Sequence, residues 1–143
     1  RWLTGRLAVA ALLVLGAGLA VALGGWAGVA GQGIGARAML AAGLNTAVPG
    51  LVVLGVGALL YGLAPRLAAP VLYALVLWSF VVETFGTSLT DNRWVLDTSL
   101  MTHLGPVPAA DLQWPTIALL LAAAALAAVL GAIAFGRRDL VSA

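Results

Sequence analysis

Charged residues are scarce in this sequence, and lysine and cysteine are absent from it altogether. Only 8% of the 143 residues are charged, whereas a soluble domain carries about 25%. So few charges cannot cover a water-facing surface, which excludes a soluble fold. The absence of cysteine excludes disulfides, thiolate metal sites and cysteine nucleophiles.

Hydrophobic residues make up 63% of the chain and are concentrated in four long runs. A bilayer core about 30 Å thick requires about 20 apolar residues of helix. Backbone groups in lipid must be hydrogen-bonded within their own segment, so each run is predicted to be a transmembrane helix. We therefore predict an all-α integral membrane protein, a single transmembrane domain with spans at residues 7–27, 46–63, 70–86 and 116–135.

Prolines lie close to the predicted helix starts. Pro70 heads the third run and Pro115 precedes the fourth, and a proline costs little there because the first N–H groups have no helical partner. The second run has two possible starts. If it begins as early as Ala36, Pro49 kinks it; if it begins near Thr46, Pro49 belongs to its first turn.

The arginines predict the orientation. Four spans place both termini on one side, and five arginines fall on that side against two on the other. The positive-inside rule then makes both termini cytoplasmic. The cytoplasmic set is Arg1, Arg6, Arg66, Arg137 and Arg138, and the outer set is Arg37 and Arg93. Aromatic rings favour headgroup level, so we expect outer interface anchors at Trp26, Trp94 and Trp114 and inner ones at Trp2, Tyr61 and Phe135.

Polar residues are concentrated between the last two runs. Residues 88–115 contain Asp91, Asp97, Asp111 and the single histidine, His103. Leucines recur every four residues at 96, 100 and 104, a sequence suited to a half-buried helix. Asp97 is suited to cap a helix N-terminus, and a Gly-Pro-Val-Pro segment follows at 105–108. We predict two short helices that form an extracellular re-entrant hairpin.

Small residues recur at spacings that allow helices to pack closely. Gly24 and Gly28 are four residues apart, as are Ala58 and Gly62. The last run has a comparable stripe, made of Ala124, Ala128 and Ala132 with Ala127 and Gly131 beside it. Such faces let backbones approach each other in lipid, so we interpret them as packing surfaces.

Motifs for catalysis or cofactor binding are weak. Residues 31–36 fit a relaxed G-x-G-x-x-A nucleotide fingerprint, but a membrane run precedes them and the next acidic residue is Glu83, so a flexible outer loop is favoured. A zinc site needs three or four converging ligands, which His103 lacks. No serine is flanked by the glycine turn of a hydrolase. We predict no metal site and no enzyme.

Glu83 is the one acidic residue within a hydrophobic run. An ionised group at the bilayer centre costs about 2.5–3.5 kcal/mol on insertion scales, and less near an interface. Glu83 lies close to the end of its run, so we expect it at the outer mouth, facing the bundle. Its role stays open between a substrate path or proton relay and plain polar packing or interface exposure.

Several segments together have the order and spacing of a known family. They are GLAPRL (62–67), WVLD (94–97), SL (99–100), THL (102–104), Pro106, Pro108, Trp114 and FGRRDL (135–140). They resemble the C-terminal end of ABC-2-type permeases, most closely the actinobacterial exporters of polyketide antibiotics of the tetronasin type. The resemblance extends over residues 46–139 and, more loosely, the first span.

The resemblance implies the permease subunit of an ATP-driven exporter that moves a hydrophobic or amphipathic, drug-like compound out of a bacterial cell. The four spans would be the last four helices of a six-helix unit, and the hairpin would close its exit side. The implied partners are membrane lipid, a second permease half or homodimer mate, and a cytoplasmic ABC ATPase that binds ATP and Mg. Candidate polar residues of the hairpin or gate are Glu83, Arg93, Asp97, His103 and Asp111.

The resemblance is incomplete at one end. Only residues 1–6 precede the first span, and the family's cytoplasmic coupling helix would lie there. We therefore expect the C-terminal part of a longer permease or a natural short subunit in the plasma membrane. This chain has no Walker A sequence and is expected to bind no cofactor itself, and its few charges do not indicate nucleic acid. The alternative function is a small four-helix membrane scaffold without transport activity.

Overall fold

Four long helices form most of the described chain in the computed structural model, which describes residues 2–29, 31–89 and 113–139. Each has 25–28 residues, a length of about 37–42 Å at 1.5 Å per residue. They are α1 (Trp2–Gly28), α2 (Ala36–Leu63), α3 (Pro65–Leu89) and α4 (Trp114–Asp139). All four are long and apolar enough to cross a membrane, which confirms the predicted membrane helices.

The helix starts decide one open point of the sequence analysis and correct another. α2 begins at Ala36, the earlier of the two proposed starts, and Pro49 is buried inside it. α3 begins at Pro65 instead of Pro70, and Ala64 alone separates it from α2. Pro65 suits that first position because proline has no N–H to leave unpaired. The predicted spans all lie inside these longer helices.

A glycine-rich loop joins α1 to α2. Gly31 has φ 92° and Gly33 has φ 79°, both in the left-handed region that side chains disfavour. The N–H of Gln32 donates to the carbonyl of Val29 at 3.0 Å, which closes the turn. This confirms the interpretation of the segment as a loop for residues 31–35, and Ala36 is already the first residue of α2.

The predicted hairpin at residues 88–115 falls largely outside the described residues, since 90–112 are not described. At its far end, α4 begins at Trp114, where the N–H of Ile117 donates to the carbonyl of Gln113 at 3.0 Å. The hydroxyl of Thr116 also donates to the side-chain oxygen of Gln113 at 3.4 Å. The hairpin stays a prediction.

α2 is the central helix of the described domain. It packs against α1, α3 and α4. In the most apolar window of α2, 39% of the residues are buried, against 17% or less in the other three helices. α1, α3 and α4 therefore present most of their surface outward, as expected of helices whose surroundings are lipid or other protein segments.

α1 and α2 cross where glycines face each other. A Cβ on Gly18 would lie 2.7 Å from the carbonyl oxygen of Gly43 and 3.0 Å from the Cβ of Ala47. A Cβ on Gly43 would lie 2.6 Å from the Cβ of Ala22. Real side-chain carbons do not approach so closely. The two backbones can therefore meet here only because Gly18 and Gly43 have no side chain. The helices run antiparallel.

α2 and α4 make a second close contact, and here the helices run parallel. A Cβ on Gly55 would overlap the carbonyl of Ala124, and one on Gly62 would overlap the carbonyl of Gly131. Reciprocally, a Cβ on Gly131 would overlap the carbonyl of Ala58. The predicted packing faces at Ala58 and Gly62, and at Ala124 and Gly131, are therefore confirmed.

The predicted packing face at Gly24 and Gly28 is wrong for this domain. A Cβ added at either position would meet nothing within 4 Å. The spacing alone does not say which face of α1 is turned toward α2, and the contact uses Gly18 and Ala22 instead.

The α2–α4 contact predicts a large effect of Gly55→Leu. Its side chain would collide with the backbone of Ala124, so we expect a loss of about 1–3 kcal/mol or more in the free energy of unfolding. The matched control is Gly16→Leu on α1, where a Cβ meets nothing within 4 Å and little change is expected. Denaturation of the purified protein in detergent measures both. Equal tolerance of the two leucines would contradict this packing.

Candidate functional site

The described arginines are divided between the two ends of the bundle. Arg6 lies near the start of α1, Arg66 at the start of α3 and Arg137 near the end of α4. Because α1 and α3 run opposite to α2 and α4, these three positions share one end, which we call the arginine end. Arg37, at the start of α2, lies at the opposite end. This grouping agrees with the sequence analysis for the four residues.

Aromatic side chains follow the same division. At the arginine end, the rings of Tyr61 and Phe135 stack with centroids 5.8 Å apart and planes inclined by 26°. Trp26 and Trp114 lie at the opposite end, near the end of α1 and at the start of α4. Rings at both ends suit a helical domain whose ends lie at headgroup level.

Glu83 is exposed on α3, so the expectation that it faces the bundle is wrong for this domain. It lies two residues before the end of the apolar segment Pro65–Phe85. Tyr73 and Phe80 on the same helix are also strongly exposed, at 78% and 62%. The exposed surface of α3 therefore combines large rings with one carboxylate near the end opposite the arginine end.

Ser79 was missed by the sequence analysis. Its side chain is buried on α3, and its hydroxyl has no hydrogen-bond partner among the residues that the structure describes. A buried hydroxyl without a partner costs about 1–3 kcal/mol by mutational measures. No pattern in the sequence separates Ser79 from the other residues of the third run, because its burial depends on how α3 is rotated against α2.

Apolar cavities lie along α1 and α2 in the described part of the chain. One of about 430 Å³ lies between α1, α2 and α3, and we call it the α1–α3 groove. It is lined by Leu3, Arg6, Leu7, Val14, Gly50, Val53, Leu54, Gly57, Ala58, Tyr61 and Leu72. Two others, of about 320 and 110 Å³, lie on the side of α4 and share Leu51 and Leu121.

Most of the predicted gate residues fall outside the described part of the chain. These are Arg93, Asp97, His103 and Asp111, together with the anchor Trp94 and the side chain of Arg138. Within residues 2–29, 31–89 and 113–139, no three side chains of the metal-ligating types come together. In this part of the chain, the surface is mostly apolar, and the charged side chains lie near the ends of the helices.

The α1–α2 contact could have been found from the sequence. Gly18 and Ala22 are four residues apart, as are Gly43 and Ala47, the same spacing that identified Ala58 and Gly62. In a chain with 18 glycines, many such pairs occur without contact. The useful signal is a pair of small residues on each of two consecutive helices, with both pairs at the same depth in the membrane.

The fold and these surfaces define a multi-pass α-helical membrane domain. The comparison with protein families then gives a specific match, over residues 1–136, to the family described as "Multidrug efflux system permease Rv1217c, C-terminal domain". The chain belongs to this family and is therefore the C-terminal part of a transporter permease. No individual curated protein and no solved structure matches the chain significantly.

The ring contact between α2 and α4 predicts different effects for two tyrosines. Tyr61→Ala removes the stacking on Phe135, a contact worth about 0.5–1.5 kcal/mol beyond burial. Tyr73→Ala is the matched control, because Tyr73 is 78% exposed. We expect Tyr61→Ala to lower the free energy of unfolding in detergent by at least that amount and Tyr73→Ala to change it little. A larger loss of unfolding free energy for Tyr73→Ala than for Tyr61→Ala would show that the stacking does not hold the helix ends together.

Proposed function

We propose that this chain belongs to the permease of an ATP-driven ABC-2-type exporter, which moves hydrophobic or amphipathic, drug-like compounds out of a bacterial cell. The observation that carries the proposal is the match of residues 1–136 to the C-terminal domain of a multidrug efflux permease. The resemblance of residues 46–139 to antibiotic exporters supports the ABC-2 type and the polyketide class of cargo.

The division of the arginines supports an orientation. Arg6, Arg66 and Arg137 share one end, and positively charged ends remain cytoplasmic during insertion. We infer that the arginine end faces the cytoplasm. The short turn at Ala64, between α2 and α3, then lies on the inner side, and the loop at residues 31–35 lies on the outer side.

The cytoplasmic partner is an ABC ATPase subunit, which binds ATP and Mg, and a second permease unit completes the pathway. The surfaces of α1 and α3 that face away from α2 are exposed, and they are suited to contacts with lipid or with that second unit. Near the outer end, Glu83 would stand beside the predicted hairpin. We propose that Glu83 and the hairpin residues Arg93, Asp97, His103 and Asp111 form polar contacts at the exit.

The proposal predicts ATP-dependent export by the complete complex. In inside-out membrane vesicles that contain the full-length permease and its ATPase, ATP should drive uptake of a hydrophobic fluorescent dye. Replacing the phosphate-binding lysine of the ATPase should reduce uptake to the level of vesicles without the permease, because the conformational cycle then has no energy source. Fluorescence of the vesicle-trapped dye measures the rate.

Two outcomes would contradict the proposal. Uptake that is driven by a proton gradient and is insensitive to the lysine replacement would exclude an ABC mechanism. Absence of any uptake, in a permease that is correctly inserted and that co-purifies with no ATPase, would favour a membrane scaffold. Replacement of residues 91–111 by a neutral linker of equal length tests the hairpin separately, since an exit gate requires its loss to abolish export at unchanged expression.

The orientation predicts the labelling of two single-cysteine variants. The chain has no native cysteine, so the background is clean. Gln32→Cys, in the exposed loop between α1 and α2, should react with a membrane-impermeant maleimide in intact cells. Gly136→Cys, exposed near the arginine end, should react only after the membrane is opened. The opposite pattern would reverse the proposed orientation.

A further inference from the structure

The α1–α3 groove is an open apolar space with α2 as its floor. α1 and α3 each pack on α2, but the described parts of these two helices have no extended packing against each other. Val14 of α1 lies over Gly50, where a Cβ would be 2.8 Å from its Cγ1. Leu72 of α3 lies over Gly57, where a Cβ would be 3.0 Å from its Cδ1. Glycines in α2 therefore bring both walls close to the floor.

The length of the groove matches the depth of one lipid leaflet. Its lining extends from Leu3 to Val14 on α1 and from Tyr61 to Gly50 on α2. At 1.5 Å per residue, either stretch is about 16 Å long. Half of the hydrocarbon core is about 15 Å. The groove therefore reaches from the arginine end to about the bilayer midplane.

The lining of the groove suits a hydrocarbon chain. Its cavity volume is about 430 Å³, and nine of its eleven lining residues are aliphatic or glycine. A single extended hydrocarbon chain is the kind of occupant that such an elongated apolar space accepts.

The polar residues of the lining are both at one end of the groove. Apart from Arg6 and Tyr61, the lining consists of aliphatic side chains and glycine. A guanidinium forms bidentate hydrogen bonds with a phosphate, and a phenol can donate one more. Tyr61 is held in this position by stacking on Phe135. Apolar walls that lead to an end with a guanidinium and a phenol match a phospholipid.

We propose that the α1–α3 groove binds one phospholipid with an anionic headgroup, whose acyl chain lies against Val53 and Leu54 and whose phosphate contacts Arg6. The lipid comes from the leaflet at the arginine end, where Arg66 and Arg137 add attraction for negative charge. Zwitterionic lipid fits the same walls but gains less from this charge. The proposal does not depend on the exporter function.

The test compares two groove variants with two matched controls in the full-length protein, purified with its partners and delipidated in detergent. Arg6→Gln removes the charge at the groove, whereas Arg37→Gln removes one at the opposite end. Val53→Phe fills the groove, whereas Val9→Phe adds the same ring on an exposed part of α1. Native mass spectrometry titrates phosphatidylglycerol and phosphatidylcholine with identical acyl chains.

We expect the wild-type protein to bind one phosphatidylglycerol more tightly than phosphatidylcholine. Arg6→Gln should weaken the binding of phosphatidylglycerol about tenfold or more, as expected for loss of a charged hydrogen bond. It should weaken the binding of phosphatidylcholine less, because that lipid has the same phosphate but also a cationic choline that offsets its charge. Val53→Phe should weaken the binding of both lipids. The two controls should bind as the wild-type protein does. Should Val53→Phe not fold, the two arginine variants decide the question.

Three results would overturn the proposal. One is equal loss of phosphatidylglycerol in Arg6→Gln and Arg37→Gln, which would indicate only general charge attraction. Another is unchanged binding in a folded Val53→Phe variant. The third is the absence of any tightly bound lipid in the wild-type protein, which would show that the groove is empty or filled by another protein segment. Each of these outcomes leaves the exporter function untouched.

Discussion

The close approach of α2 to its neighbours is the contact on which the other features of this domain depend. Between helices in lipid there is no hydrophobic driving force, because lipid tails are as apolar as leucine, so packing of backbones must hold the helices together. Gly43 permits that approach to α1, and Gly55 and Gly62 permit it to α4. With α2 held at the centre, helix directions bring Arg6, Arg66 and Arg137 to one end and leave a groove between α1 and α3.

The sequence predicts the helices well and their faces poorly. Four apolar runs are enough to predict four membrane helices, since the bilayer leaves the backbone few alternatives. The start of α3 at Pro65 instead of Pro70 follows from a one-residue turn at Ala64 that hydropathy does not detect. The arginines could be grouped by end because that needs only the order of spans. The exposure of Glu83 could not be predicted, because it depends on the rotation of α3 against α2.

Close packing and open space have the same origin in α2. Glycine brings the backbones together at Gly18 and Gly43, yet at Gly50 and Gly57 it gives room to Val14 and Leu72 and shapes a groove beside them. A permease must have helices that can move against each other, and contacts made of small residues present few interlocking side chains to such motion. The chain belongs to a drug-efflux permease family. Its apolar cavities and the grouping of its arginines at one end are consistent with a membrane permease.

The central claim, that α4 lies parallel against α2, is tested most directly by pulsed electron paramagnetic resonance on pairs of spin labels. The labels go on Gly136 near the end of α4 and on either Leu63 or Leu40, which are both exposed on α2. The account predicts a short distance for the Leu63 pair. For the Leu40 pair it predicts about 35 Å, the length of helix from residue 40 to residue 63. Similar distances for the two pairs, or a longer one for Leu63, would contradict it.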